Sequence, residues 1–214
     1  HPEKYIGDNA DWDICEKMLQ EVSDELHLNA IRCEGEAALY GPKLDFMFKD
    51  ALGRDIQIPT VQLDFALPKR FDLNYIDEYG KKVHPVMVHR AVLGSYERFI
   101  ALILEQFKGV LPVWLSPVQV NIVPVNMKYH DEYCKKIFNL LNNEDIRVSY
   151  DDSKESMGKK LRQSNLMKNP YTLVIGDNEK DNNIISYRKY NREEMNSLSI
   201  DDFIKFIKEE IKNR

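Results

Sequence analysis

A short segment containing glycine and proline divides the sequence into two parts with different hydrophobic patterns. The ten residues at 108–117, KGVLPVWLSP, include one glycine and two prolines, which interrupt helices and strands. Strand-like runs followed by a helix precede this segment, whereas short strands alternate with helices after it. We therefore predict two domains, one at residues 1–111 and the other at residues 112–214.

The first domain combines helical and strand patterns, which indicates an α+β fold. Apolar residues recur at helical spacing from Asp11 to Leu28, as expected for a surface helix packed on a core. Alternation predicts strands at residues 43–49 and 55–64, joined by a turn at residues 50–54. Few polar positions occur at residues 92–107, so we predict a largely buried helix there.

The second of these strands changes the phase of its apolar residues at Pro59. Ile56 and Ile58 lie on one phase before the proline, and Val61 and Leu63 lie on the other phase after it. One extra residue of this kind is a β-bulge, where a residue without an N–H is tolerated. The polar residues of the strand should then share one face, which is either simply solvated or part of a binding site. These residues are Gln57, Thr60, Gln62 and Asp64.

Strands and helices alternate throughout the second domain, which indicates an α/β fold of about 100 residues. The polar residues 177–183 are predicted to form a loop. The predicted strands lie at residues 118–125, 146–150, 171–175 and 184–188, and the predicted helices at residues 128–143 and 157–167 and at the C-terminal end.

The composition excludes some kinds of function. A net charge of −5 argues against nucleic acid binding by bulk electrostatics, so any such contact should be local. No run approaches the roughly 20 apolar residues of a membrane span, and no targeting segment is present, so we expect no membrane partner. Cys15, Cys33 and Cys134 lack close spacing, which predicts buried core thiols and a reducing, cytoplasmic setting.

Some charged residues have two possible interpretations. Arg98, within the apolar helix, should either pair with Glu97 or another acid, or reach into a ligand site. A lone histidine such as His89 is more often structural than a metal ligand. The basic residues at 159–162 form either a solvated helix face or a contact with RNA.

Three segments of the first domain resemble threonyl-tRNA synthetases. They are Tyr40-Gly-Pro-Lys43, Gln57-Ile-Pro-Thr-Val-Gln-Leu-Asp-Phe65 and His89-Arg-Ala-Val-Leu-Gly-Ser-Tyr-Glu-Arg98, in that order and at that spacing. The last segment is similar to motif 3 of class II aminoacyl-tRNA synthetases. The resemblance implies a class II catalytic portion with an antiparallel sheet. It also implies a threonine–tRNA ligase, which converts threonine and ATP to threonyl-adenylate and transfers the threonine to tRNA(Thr).

The resemblance assigns four residues to an ATP site. Arg98 would contact the ATP phosphates, where a planar and permanently charged guanidinium suits shifting negative charge. Gln57 and Thr60 would line the ATP pocket, with Ser95 close by at the helix start. Mg²⁺ is the expected companion of ATP.

The resemblance also implies a threonine site and a catalytic set. Tyr40 and Gln62 would border the threonine pocket. Lys43 would offer a positive charge to the adenylate or to the end of the tRNA. The expected catalytic residues are Arg98, Gln62 and Lys43.

His89 would be one of three protein ligands of a zinc ion in the catalytic site. In the family this zinc binds the amino group and the hydroxyl of threonine, which rejects valine although its shape is nearly the same. The other two ligands, a cysteine and a histidine, would lie before residue 1. Motifs 1 and 2 are also missing, so we expect this stretch alone to be inactive. The resemblance further implies that the full-length enzyme is a homodimer.

The second domain resembles the anticodon-binding domain of class II synthetases, which has a mixed sheet. Asp151-Asp-Ser-Lys-Glu-Ser-Met-Gly-Lys-Lys-Leu-Arg162 is similar to an acidic strand end and the helix after it. Tyr171-Thr-Leu-Val-Ile-Gly-Asp-Asn-Glu179 matches the next strand. Carboxylate and guanidinium groups can read unpaired bases. The residues implied to contact the anticodon are Lys154, Arg162, Glu179 and Arg188.

Two other functions are compatible with parts of this pattern. A non-catalytic paralogue that binds tRNA or has a regulatory function could keep the second domain while its catalytic half decays. A class II synthetase of the prolyl or histidyl type would share motif 3. The intact candidate residues of the first domain argue against a decayed catalytic site.

Overall fold

The structure is a computed structural model that describes residues 2–213. Contacts within the chain divide it into two compact units, His1–Ile103 and Leu104–Arg214. The domain boundary at residues 111 and 112 stays a prediction. Among the described residues, no helix combines the length and the apolar character that crossing a membrane requires.

The first unit contains an antiparallel sheet. Its strands are β1 (Lys43–Lys49), β2 (Asp55–Asp64), β3 (Tyr75–Ile76), β4 (Lys82–Val83) and β5 (Met87–Ala91). Its helices are α1 (Asn9–Glu25), α2 (Ala66–Arg70) and α3 (Tyr96–Gln106), which extends past the division between the units, and a 3₁₀ turn lies at Pro2–Lys4. The sheet has the strand order β1-β2-β5, and β3 pairs with β4. The predicted α+β fold with an antiparallel sheet is confirmed.

The predicted β-bulge is present in β2. Asp45 pairs with Thr60, but Met47 pairs with Gln57, so β2 advances by one residue more than β1 does. The extra residue falls at 58–59, where the apolar residues change phase. Because of the bulge, Gln57 and Thr60 face the same side of the sheet although they are an odd number of residues apart.

Helix α1 is less buried than its apolar stripe predicted. Cys15 packs with Phe65 in the small core of this unit. Met18, Val22 and Leu26, on the same stripe, are exposed. A stripe becomes buried only where another element packs on it, and at this end of α1 the buried residue is Ser23 and not the apolar stripe.

The prediction that residues 92–107 form a largely buried helix is wrong for the described chain. A helix is present, but α3 begins later, at Tyr96, and contains no buried residue. Ile100 is 55% exposed. The apolar pattern marks the side of the helix on which another element would pack, and within residues 2–213 that side is covered only in part, since Phe99, Leu102 and Ile103 are half-buried.

The second unit contains a mixed sheet. Its strands are β6 (Val120–Pro124), β7 (Val148–Tyr150), β8 (Tyr171–Ile175), β9 (Ile184–Lys189) and β10 (Asn196–Ser199). Its helices are α4 (Met127–Asn143), α5 (Met157–Leu166), α6 (Asp177–Asn182) and α7 (Ile200–Lys212). The strand order is β10-β9-β8-β6-β7. Strand β6 is parallel to β7 and β8, and β9 is antiparallel to β8 and β10, so the predicted mixed sheet is confirmed.

The main core of the second unit lies on one face of this sheet. Ile137 of α4 and Phe203 of α7 are fully buried there and pack with apolar residues of the strands. The opposite face is more polar, because Asn121, Thr172 and Arg188 are cross-strand neighbours on it. Helix α5 covers part of this second face.

The segment that contains glycine and proline is anchored on the second unit. Val113 belongs to its core, and the carbonyl of Val113 accepts a hydrogen bond from Gln119 Nε2 at 3.0 Å. The guanidinium of Arg147 donates to the carbonyls of Ser116 and Trp114. The segment is therefore held by hydrogen bonds to its backbone.

Several short elements were not predicted from the sequence. Residues 177–183 were predicted as a loop, but most of them form α6, whose six residues are all polar and so show no apolar period. Strands β3, β4, β5 and β10 were also missed, because these runs of two to five residues show neither a clear alternation nor a continuous apolar stretch.

The three cysteines do not share one environment. Cys15 and Cys134 are buried, as predicted, but Cys33 is exposed. Burial raises the pKa of the Cys134 thiol to about 12, and burial followed by the charge of Asp11 raises the pKa of Cys15. Since the thiolate is the reactive form, the buried pair should be inert.

We therefore expect iodoacetamide at pH 8 to alkylate Cys33 alone in the folded chain. All three cysteines should react in urea. Mass spectrometry of peptides from the two samples measures this directly, and a Cys33→Ser variant is the matched control. Rapid modification of Cys134 in the native protein would contradict the burial that the structure shows.

Candidate functional site

A row of polar side chains crosses the sheet of the first unit. Lys43 in β1 pairs with Gln62 in β2, and Gln62 pairs with His89 in β5. Asp45 and Thr60 form the next pair on the same face. Residues directly opposite each other on neighbouring strands have their side chains on the same face. The predicted polar face therefore exists, and the unpredicted strand β5 places His89 on it.

Tyr40 lies against one end of this row. Its hydroxyl donates to Gln62 Oε1 at 2.5 Å, and its ring centroid is 5.2 Å from that of His89. A Cβ at Gly41 would lie 1.8 Å from the carbonyl oxygen of Leu63, so only glycine allows the backbone to approach β2 this closely. That approach places Tyr40 beside the row.

Asp45 connects three of the predicted residues. Its Oδ1 accepts hydrogen bonds from Gln57 Nε2 at 2.8 Å and from Thr60 Oγ1 at 2.7 Å. Its Oδ2 pairs with the ammonium of Lys43. Sequence reasoning gave Asp45 no function, although its position two residues after Lys43 in an alternating strand placed it on the polar face.

Asp64 is a second carboxylate that the sequence analysis left without a specific function. It is fully buried, and its Oδ2 is 2.9 Å from His89 Nε2. Its Oδ1 accepts the N–H groups of Ala66 and Leu67 at the start of α2. Of the two ring nitrogens of His89, Nδ1 has no hydrogen-bond partner among residues 2–213.

Ser95 and Arg98 lie at the start of α3. Ser95 Oγ accepts the N–H of Arg98 at 3.3 Å. Gly94 has a φ of +66° and a Cβ there would lie 3.6 Å from the carbonyl oxygen of Ile58, so the chain enters α3 beside the bulge. Arg98 is exposed, and its guanidinium has no carboxylate partner in the described chain. The ion pair with Glu97 or another acid, one of the two interpretations of Arg98, is therefore absent from the described residues.

The structure thus brings most of the predicted residues of the first unit together. No hydrogen bond or ion pair joins Arg98 to them within residues 2–213, although its helix begins next to the same strand. The residues that share the polar face or lie against it are Tyr40, Lys43, Gln57, Thr60, Gln62 and His89.

The predicted RNA contacts of the second unit surround α5. Arg188 in β9 pairs with Thr172 in β8, and its Nη2 donates to the carbonyl of Leu161 in α5 at 3.4 Å. Lys154, before α5, and Arg162, within it, are exposed. These three cations lie on or beside the face of the sheet that α5 covers.

Glu179 already has partners inside the second unit. Its Oε2 accepts the N–H of Gly176 at 2.8 Å, and its Oε1 accepts the hydroxyl of Ser186 at 2.7 Å. Burial raises the pKa of Glu179, but the hydrogen bonds from Ser186 and Gly176 outweigh it and hold the pKa below its ordinary value. This carboxylate caps α6 and joins it to β9.

Lys160 does not belong to a solvated helix face. It is 2% exposed, and its Nζ donates to the carbonyl of Asp151 at 2.7 Å. Lys159 is exposed and pairs with Glu155 at 2.8 Å. The basic residues at 159–162 are therefore not one group, because Lys160 joins α5 to the end of β7 while Arg162 faces water.

Comparison with known proteins relates both units to aminoacyl-tRNA synthetases. Residues 6–107 match the class II tRNA synthetase core domain of the G, H, P, S and T types, and residues 119–210 match the anticodon-binding domain. The threonine–tRNA ligase of Oceanobacillus iheyensis is 43% identical over 212 residues, which cover 99% of this chain. The corresponding ligase of Lactobacillus acidophilus is 46% identical over 211 residues, also 99% of this chain.

The chain belongs to the threonyl-tRNA synthetase family. It spans about a third of the length of the curated relatives it matches, since it covers 33% of each of these two proteins. A crystal structure described as the RNA-binding domain of threonyl-tRNA synthetase from Cryptosporidium parvum has a TM-score of 0.85 and 37% identity, and covers 98% of this chain and 53% of that one.

The resemblance to threonyl-tRNA synthetases implies a zinc ion bound in part by His89. Within residues 2–213, no three His, Cys, Asp or Glu side chains are grouped so that they could hold a metal ion. His89 fits the chemistry of a single ligand, because Nε2 contacts a carboxylate while Nδ1 has no hydrogen-bond partner in the part of the chain that the structure describes, an arrangement typical of metal-binding histidines.

The capping function of Glu179 predicts a change in stability at acid pH. A lowered pKa in the folded state adds stability above the ordinary glutamate pKa of about 4.3. That stability is lost as the pH falls through the lowered value. Glu179→Gln should destabilise the second unit at pH 7 by about 1–3 kcal/mol, because one acceptor is lost, and should reduce its acid sensitivity. Glu209→Gln, at an exposed position of α7, should do neither.

Urea unfolding measures both effects. Trp12 and Trp114 are the two tryptophans of the chain, so Trp114 fluorescence in a Trp12→Phe background reports on the second unit. Equal unfolding midpoints for Glu179→Gln and Glu209→Gln would refute the capping function.

Proposed function

We propose that this chain functions as part of a threonine–tRNA ligase, which joins threonine to tRNA(Thr) with ATP as the energy source. The observation that carries the proposal is the polar row of Lys43, Gln62 and His89 across one sheet, in a chain that belongs to this family. In the same proposal the catalytic portion is residues 1–111 and the anticodon-binding domain is residues 112–214.

The proposed reaction has two steps. The carboxylate of threonine attacks the α-phosphorus of ATP, and pyrophosphate leaves. A ribose hydroxyl at the end of tRNA(Thr) then attacks the carbonyl carbon of the adenylate, and AMP leaves. Both steps move negative charge on phosphate oxygens, which positioned cations stabilise.

The first unit provides candidate groups for ATP. Arg98 supplies an exposed guanidinium that no acid of the described chain neutralises, so its charge is available to a phosphate. Gln57 and Thr60 line the nucleotide pocket, and Ser95 marks the helix start beside the bulge. Mg²⁺ accompanies ATP in this proposal.

The other end of the row is the proposed threonine site. Tyr40 and Gln62 are already hydrogen-bonded to each other, so they form a preorganised wall beside His89. Lys43 supplies charge next to them. A zinc ion held in part by His89 would supply a Lewis acid for the amino and hydroxyl groups of threonine, which valine cannot satisfy.

The proposed RNA partner is the anticodon loop of tRNA(Thr). Lys154 and Arg162 are exposed cations near α5, and Arg188 lies on the same side of the sheet. Glu179 is included in the proposal, although its carboxylate also holds α6 in place. The full-length enzyme is proposed to be a homodimer that works in the cytoplasm.

Arg98→Ala in the full-length protein should reduce ATP–pyrophosphate exchange by about a hundredfold or more, the usual cost of removing one group that stabilises transition-state charge. Arg90→Ala is the matched control, because Arg90 is adjacent to His89 in β5 and its side chain faces the opposite side of the sheet. Equal losses in the two variants would contradict the ATP function of Arg98.

Arg162→Ala should weaken binding of the tRNA(Thr) anticodon stem-loop by about 10- to 100-fold, corresponding to about 1–3 kcal/mol. Folding should be unaffected, because Arg162 is exposed. Fluorescence anisotropy with labelled RNA measures the affinity. Lys205→Ala removes an exposed cation of α7 on the other side of the sheet and should leave the RNA affinity unchanged. An equal loss of affinity in Lys205→Ala would mean that RNA binding depends on the total positive charge and not on a local contact of Arg162.

A further inference from the structure

Asp64 is a buried carboxylate whose two oxygens serve different elements. Its relative exposure is 0%, and a carboxylate buried this completely is costly unless its oxygens are hydrogen-bonded. Oδ1 accepts the N–H groups of Ala66 at 3.1 Å and Leu67 at 2.9 Å. Capping α2 therefore accounts for one oxygen only.

The second oxygen, Oδ2, determines which ring nitrogen of His89 carries the hydrogen. An ionised carboxylate only accepts hydrogen bonds, so the 2.9 Å contact of Oδ2 with Nε2 requires the hydrogen of the imidazole to be on Nε2. In a neutral imidazole, Nδ1 then carries the lone pair. The His89 side chain is 37% exposed, so part of the ring is open to a ligand.

Further contacts fix the plane of this imidazole. The ring of Tyr40 lies 5.2 Å from it, and Tyr40 is held in turn by its hydrogen bond to Gln62. Since Gln62 is the cross-strand neighbour of His89, the ring belongs to the polar face, where Tyr40, Gln62 and Asp64 surround it. Asp64 is the contact among these that selects a ring nitrogen.

We propose that Asp64 is a positioning residue, which fixes the tautomer and orientation of His89 so that Nδ1 presents its lone pair to the polar face beside Tyr40 and Gln62. The inference rests on the proposed function to the extent that zinc is the group that Nδ1 binds. Asp64 would thus take part in the proposed function without touching the zinc ion, and Nδ1 of His89 would be the ligand atom.

The variant Asp64→Asn tests this proposal because it keeps one oxygen acceptor and replaces the other with an NH₂ donor. The two backbone N–H groups of α2 still need an acceptor, so the amide oxygen should remain on α2 and the amide NH₂ should face Nε2. A neutral His89 then has to accept at Nε2 and move its hydrogen to Nδ1. The lone pair on Nδ1 is lost while the helix cap is kept.

The first measurement is the tautomer of His89 at pH 8. Ring ¹⁵N shifts of histidine-labelled protein report it in the 214-residue chain, and His89→Gln identifies the signal. We expect Nε2–H in the wild-type protein and Nδ1–H in Asp64→Asn. Nδ1–H in the wild-type protein, or the same tautomer in both proteins, would overturn the proposal, and the wild-type result decides even if the variant does not fold.

The second measurement is the zinc affinity of the full-length protein. Removing an outer hydrogen-bond partner of a metal ligand typically weakens metal binding by about 10- to 100-fold, so we expect a loss in that range for Asp64→Asn in competition with a chelator. Asp45→Asn is the matched control. It removes a carboxylate on the same face whose partners are Lys43, Gln57 and Thr60, and it should change neither zinc affinity nor the His89 tautomer.

The outcomes also separate this inference from the proposed function. A full-length wild-type protein that binds no zinc would overturn the zinc site, while a tautomer change in Asp64→Asn would still support the positioning function of Asp64. Equal zinc losses in Asp64→Asn and Asp45→Asn would refute a specific function of Asp64.

Discussion

The extra residue in β2 determines which side chains of the first unit can meet. In a regular strand Gln57 and Thr60 would face opposite sides of the sheet, because side chains alternate. The bulge at 58–59 turns both toward Asp45, which accepts a hydrogen bond from each. The same bulge lies beside Gly94, so the distortion that aligns the polar face is also next to the start of α3.

Two carboxylates then organise the polar face in different ways. Asp45 is partly exposed, and its partners are groups that a ligand can also bind, so its hydrogen bonds can exchange with those of a ligand at modest cost. Asp64 is fully buried, and its partners are the backbone of α2 and one imidazole nitrogen. Breaking those contacts would leave a buried charge, which is strongly unfavourable. The His89 end of the face is therefore the more rigid one.

The sequence predicted the elements that have a clear period and missed those that do not. The bounds of β1 and β2 agree with alternation alone, those of β8 agree with the predicted range, and the phase change at Pro59 located the bulge. Strand β5 has five residues of mixed character, so His89 was placed on the face only by pairing with β2. The burial of α3 was overestimated, because an apolar stripe shows where a partner would pack and not whether one is present.

The second unit shows why residue type alone could not assign the charged side chains. Lys160 and Arg162 lie two positions apart on α5, yet one is bound to the carbonyl of Asp151 and the other faces water. An exposed cation can approach RNA without losing a buried partner, whereas Lys160 would first have to give up its hydrogen bond. Glu179 is constrained in the same way by Ser186. RNA affinity should therefore depend on the exposed cations, while the buried groups maintain the shape of the loops that present them.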